Sequence, residues 1–379
     1  MPGLIPLLRA VAADSDRLDP DLFDDAAVRW AIEVGLGPTL YRAVRNHPSC
    51  GRPREAFEWL QGSDLAGRVV VGEILDALEE ILASSDALAE QITLLKGASL
   101  SQFLYPEPHL RPMVDMDLLV TEPARTQLES ALHQLGYRQQ SSLPSEFYET
   151  HHHGMPFLHR ARRLCVEVHT ALLSRCAAAR DRAFSSAHVS SRIEPTISRG
   201  HRTNRLSAEL ELAYTCTHWA LERGCLAGGV LPLVDVVHQV MRRGGELDWD
   251  RLLSDLDDSH AATHVRLALG YLERQAVIRL PPRVSERLAE AQRCPLGPSE
   301  PILDRLLDRY AMQGRRFGRL ATANNVRSVW DALLEPRSAW RNLAALPWSV
   351  SFPPGNPQRF SPTFQLGRLT GTVRRKGRD

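Results

Sequence analysis

Residues 110–120 read "LRPMVDMDLLV". Two aspartates, Asp115 and Asp117, sit one residue apart inside an apolar run. Carboxylates placed beside a core are costly unless something compensates them. The alternation suits a β-strand, whose successive side chains point to opposite faces. Asp115 and Asp117 then share one face, and Met116, Leu118 and Val120 share the other.

The neighbouring stretches supply partners for this strand. Upstream, "ITLLKG" is a short apolar run that ends in a glycine turn, and "ASLSQFLY" continues it as a short helix. Downstream, "PARTQLESALHQLGY" reads as a helix closed by glycine. "MPFLH" and "LCVEVH" flank the basic turn "RARR" and read as a hairpin. In "CVEVHT", Glu167 and His169 share a face. If this strand lies beside "DMDLLV", three carboxylates converge: Asp115, Asp117 and Glu167. Clustered anions repel unless cations sit between them. Mg²⁺ suits such a set, because it prefers hard oxygen ligands and leaves room for phosphate oxygens. Two ions about 3.5–4 Å apart would steady both the attacking and the leaving oxygen. Mn²⁺ is the alternative ion. The turn "LLKGAS" offers a place for the phosphates of a nucleoside triphosphate, since backbone N–H groups at a helix N-terminus favour anions. Gly97 permits close approach, the Ser99 hydroxyl can donate, and Lys96 and Arg111 can neutralise charge.

These residues together resemble the polymerase-β type of nucleotidyltransferase superfamily, in which a glycine turn precedes a D-x-D strand and a third carboxylate lies on a later strand. More narrowly, "LLKGASL", "LRPMVDMDLLV" and "CVEVH" resemble a bacterial group of uncharacterised nucleotidyltransferases. Its downstream helices carry a histidine and an aspartate, matched here by "CTHWALERG" with His218 and "LPLVDVVHQV" with Asp235. The resemblance runs over roughly residues 85–285. It implies that Asp115 and Asp117 hold the metals, with Glu167 as third ligand and base. It also places Gly97 and Ser99 at the phosphate-cradling turn. One departure is Ala98, which separates Gly97 from Ser99. The implied activity moves a nucleoside monophosphate from an NTP to an acceptor, which the sequence leaves unnamed: a small molecule, a peptide or a protein. Terminal phosphoryl transfer at the same site, or an inactive binding protein, is the alternative reading.

Other features have plainer readings. Lys96 and Arg111 can equally be solvated charges at a strand end. His218 suits core packing as well as ligand contact, and Asp235 suits a polar pairing between helices. The run His151, His152, His153 has imidazoles that zinc favours. Consecutive residues cannot all face one site, however, and no thiolates accompany them. The expected role is hydrogen bonding at the start of the hairpin, with His153 and His169 near the mouth of the site.

The bulk composition adds limits. The 379 residues carry 46 basic and 45 acidic side chains, a formal net charge of +1. That balance does not argue for a membrane surface or a long nucleic acid as partner. Lysine occurs only at Lys96 and Lys376. Six cysteines form no C-x-x-C pair, which suits buried thiols in a reducing cytoplasm. No apolar run reaches the ~20 residues that span a bilayer.

The expected fold class is α+β: a small mixed-sheet nucleotidyltransferase core with helical N-terminal and C-terminal parts. The expected divisions are a helical part over 1–88, the α/β core over 89–195, a helical domain over 196–290, and a helical or extended part over 291–379 with a basic tail.

Overall fold

The computed structural model describes residues 3–51, 55–140, 148, 151–162, 164–222, 224–226, 229–243, 245–315 and 322–351. The basic tail lies outside the described residues. Among them the backbone forms sixteen α-helices and one seven-stranded mixed sheet, so the α+β expectation holds.

The chain opens with helices α1 (Ile5–Ala12), α2 (Asp25–Glu33), α3 (Gly37–Val44), the long α4 (Glu55–Ala83) and α5 (Asp86–Ala89). The sheet region follows as β1 (Thr93–Leu94), α6 (Lys96–Phe103), β2 (Asp115–Leu119), α7 (Glu122–Gln134), β3 (Arg138–Gln139), β4 (Phe157–His159), β5 (Leu164–His169), α8 (Ser186–Ser191), β6 (Ile193–Ser198) and β7 (His201–Leu206). The rest is helical: α9 (Ala208–Leu221), α10 (Val230–Arg242), α11 (Trp249–Asp255), α12 (His260–Arg274), α13 (Pro282–Glu290), α14 (Glu300–Leu306), α15 (Ala323–Leu333) and α16 (Ala339–Ser351).

The strand order is β3-β4-β5-β2-β1-β7-β6. β2 runs parallel to β5 and antiparallel to β1. The apolar face of these strands is fully buried. Met116, Leu118 and Val120 from the β2 segment and Val166 and Val168 from β5 pack with Ile74, Leu78 and Ile81 of α4 and Leu128 and Leu132 of α7. Each such side chain contributes about 1.5–3 kcal/mol when fully buried. A one-residue slip of β2 would send Asp115 and Asp117 into that core, so the register is strongly specified. Helix α7 ends where Gly136 takes φ +92°, a left-handed position that favours glycine.

The sheet continues past residue 195, to Leu206. β6 and β7 form a hairpin paired from Ile193–Leu206 to Ser198–His201. Its two turn residues, Arg199 and Gly200, both have positive φ, as the tight turns matched to strand twist require. The opposite face of the sheet is covered by α9, which is buried on most sides and capped by the Ser207 hydroxyl accepting from the Leu210 N–H. That helix shares one core with α1–α3 and with the helices beyond it. The N-terminal helices meet the stretch around Met312 there. The Leu4 N–H donates to the Met312 carbonyl, and Trp30 Nε1 donates to the Ala311 carbonyl at 2.8 Å.

Candidate metal and nucleotide site

β2 and β5 pair with Asp117 directly opposite Glu167 and Leu119 opposite His169. The period of two then puts Asp115, Asp117, Glu167 and His169 on the face turned away from the α4–α7 core. One oxygen or nitrogen from each of Asp117, Glu167 and His169 lies within 4.8 Å of the others. Asp117 is 2% exposed, and two neighbours hold its carboxylate. Lys96 Nζ lies 3.0 Å from Oδ1, and His169 Nε2 lies 2.8 Å from the same oxygen. Burial alone would raise the Asp117 pKa, but Lys96 and His169 outweigh it and hold the carboxyl well below the usual range. Burial works against the Lys96 ammonium too. Tyr214, Asp117 and Glu167 around it nevertheless raise its pKa, so it stays charged.

Asp115 differs. Its carboxyl takes part in none of the ion pairs or side-chain hydrogen bonds found among the described residues. Burial first, then the Asp117 and Glu167 charges, push its pKa up to about 6. A carboxyl left without a partner beside two others is what a divalent cation would relieve.

The turn before β2 differs in detail from the expectation. The residue in the left-handed region is Lys96, with φ +44°, and not Gly97. Such strain costs on the order of 1–3 kcal/mol and aims the lysine at Asp117. Gly97 is needed for packing: a Cβ there would sit 2.9 Å from the Met113 Cβ. The Ser99 hydroxyl is fully buried and donates to Glu211 at 2.9 Å. Arg111 clamps Asp235 at 3.0 Å through both Nε and Nη2, and Nη1 donates to the Pro112 carbonyl at 2.7 Å. Asp235 also accepts from the Tyr105 hydroxyl at 2.7 Å. Two residues expected at the nucleotide are thus held by internal partners, and Asp235 is placed as the counter-ion of Arg111.

Helix α9 sets the expected His218 beside two residues that the sequence reading did not single out, Glu211 and Tyr214. Glu211, Tyr214 and His218 follow i, i+3, i+7 spacing and so share one helix face. Glu211 binds Ser99 and pairs with Arg243 at 2.6 Å. Tyr214 stands beside Lys96. The His218 ring meets the Tyr214 ring edge-on at 5.7 Å, and burial lowers its pKa to about 3. The helical spacing was the available signal. It was obscured because α9 is also apolar on its other faces.

The expectation for the histidine run needs correction. His151, His152 and His153 do converge, with one ligand atom of each within 4.8 Å of the others. Strand alternation does not apply, because residues 151 and 152 lie in a bend and only His153 bridges to His169. Burial lowers the His151 pKa to about 4 and the His152 pKa to about 2, so both rings are neutral at pH 7.

Residues 21–275 match the family described as uncharacterised nucleotidyltransferase. This span is most of the 379-residue chain, so the chain belongs to that family. The match begins well before residue 85 and takes in helices α2 to α5. No curated protein and no solved structure shows significant similarity to the chain.

Proposed function

We propose that this protein is a Mg²⁺-dependent nucleotidyltransferase that moves a nucleoside monophosphate from an NTP to a hydroxyl or similar acceptor, with release of pyrophosphate. The observation that carries the reading is the trio of carboxylates on two adjacent parallel strands, with Asp115 unpaired and its pKa raised to about 6. The family membership supports it. Bound Mg²⁺ supplies charge neutralisation at the α-phosphate and lowers the pKa of a coordinated hydroxyl. Asp115 and Asp117 would hold the ions, and Glu167 would add a third ligand and accept the acceptor's proton. Mn²⁺ is the natural substitute.

Phosphate recognition falls first on the N–H groups of Gly97 and Ala98 in the opening turn of α6, whose Leu95 cap offers no side-chain oxygen. Lys96 adds positive charge on the same side as Asp117. Arg111 and Ser99 shape the turn through Asp235 and Glu211. His153, His169 and His218 border the acceptor side. No helix among the described residues is long and apolar enough to cross a membrane. The near-zero net charge favours a small molecule, a peptide or a protein over a long polyanion as acceptor.

The test uses α-labelled and γ-labelled ATP, with cell extract as the source of acceptor. The α label should enter a product in the presence of Mg²⁺. Both Asp115→Asn and Asp117→Asn should abolish this while leaving the circular dichroism spectrum unchanged. Transfer of the γ label would instead assign phosphoryl transfer, and undiminished transfer by both variants would sink the site assignment.

A further inference from the structure

We propose that His151, His152 and His153, completed by the Glu167 carboxylate, form a site for a borderline divalent transition-metal ion such as Zn²⁺, separate from the Asp115–Asp117 site. The inference concerns ion binding by the free protein and does not depend on nucleotidyl transfer.

Three observations carry it. The first is convergence. The three rings lie 4.3–4.9 Å apart between centroids, with a ligand atom of each within 4.8 Å of the others. Tetrahedral zinc with bonds of about 2.0–2.1 Å sets its ligand atoms roughly 3.4 Å apart. His153 Nε2 and Glu167 Oε2 are already 3.6 Å apart. Closing the rest takes side-chain rotation, most of all by Glu167, which reaches His153 but lies outside the grouping of the three rings.

The second is orientation. His153 Nδ1 donates to the Gly154 carbonyl at 2.7 Å, which leaves Nε2 as the ring atom directed at Glu167 Oε2, 3.6 Å away. His152 Nδ1 shares a 2.5 Å hydrogen bond with Ser174 Oγ. Metal-bound histidines are typically anchored this way through the nitrogen that does not bind the metal.

The third is rigidity. The segment is stitched to β5 and its exit. The Gly154 N–H donates to the Val168 carbonyl, and the Thr170 and Ala171 N–H groups both donate to the His152 carbonyl. The imidazoles are therefore held by backbone bonds before any ion arrives. Nitrogen donors with a single carboxylate select a transition-metal ion over Mg²⁺, which prefers oxygen ligands throughout. Glu167 then belongs to both sites and couples them.

The test is a Co²⁺ titration of the chelator-treated, tag-free full-length chain, read by visible absorption. Wild type should bind one Co²⁺ with the intense bands of tetrahedral nitrogen coordination, and Zn²⁺ should displace it. Asp115→Asn should keep those bands. His151→Asn should weaken binding at least ~10-fold, and Ser174→Ala, which leaves all three imidazoles in place, should weaken it ~10–100-fold. A wild-type titration without those bands overturns the proposal without any variant. So do bands unchanged in both Ser174→Ala and His151→Asn, or bands lost in Asp115→Asn, which would place the ion at the carboxylate site instead.

Discussion

Asp115 and Asp117 are chemically alike, yet their surroundings drive them apart. Asp117 is ionised because Lys96 and His169 both bind one of its oxygens. Asp115 faces the same negative neighbours without such a partner, and its pKa rises to about 6. A carboxyl whose folded pKa lies above its unfolded value weakens the fold once it ionises. The penalty is absent below about pH 4 and complete above about pH 6. Asp115→Asn should therefore stabilise the metal-free protein at pH 7.5, by relief on the order of 1 kcal/mol, or roughly 2–4 °C in melting temperature. The gain should vanish near pH 4. Thermal melts of both proteins in chelator across that range check it; an equal or lower melting temperature for the variant at pH 7.5 refutes the electrostatic account of the site.

At the scale of elements, the Arg111–Asp235 clamp ties the entrance of β2 to α10. Asp235 is 1% exposed, so losing its partner leaves a buried charge with only the Tyr105 hydroxyl. Arg111→Ala should cost about 3–5 kcal/mol in urea unfolding, whereas the Arg111→Met, Asp235→Leu double variant should recover most of that. An Arg111→Ala protein as stable as wild type would show that the pair is not structural. β2 itself was legible in the sequence, because one of its faces is apolar and the other acidic. The β6–β7 hairpin was not. Its side chains are mostly exposed or half-buried, so no apolar alternation marks it. The left-handed Arg199–Gly200 pair is a conformational signal rather than a compositional one.

Across the whole molecule, burial keeps several histidines neutral. It lowers the pKa of His218 and His238 to about 3 and that of His264 to about 4. The unfolded chain takes up these protons near pH 6.5, well before the folded one does. Stability should therefore fall as pH drops from 7 through 5, and His238→Phe should flatten part of that decline. Melting temperatures at pH 7.5, 6 and 5 check this; a flat profile for wild type would contradict it. The three rings lie in or beside the helical body, in helices α9, α10 and α12, so acid should loosen that body. Helices α1–α3 share its core, and their loss should follow in the same transition.

The sequence by itself determined the strand "DMDLLV", its two faces, its E-x-H partner and the family to which the chain belongs. These rest on local periodicity, which a single stretch of chain displays in full. Only the tertiary structure decided which polar side chains are already spent. Ser99 and Arg111 look available in the sequence, but Glu211 and Asp235 occupy them from more than 100 residues away. The fold alone also gathers His151, His152 and His153 together, with His153 beside Glu167, because a bend anchored to β5 overrides the alternation of an extended chain.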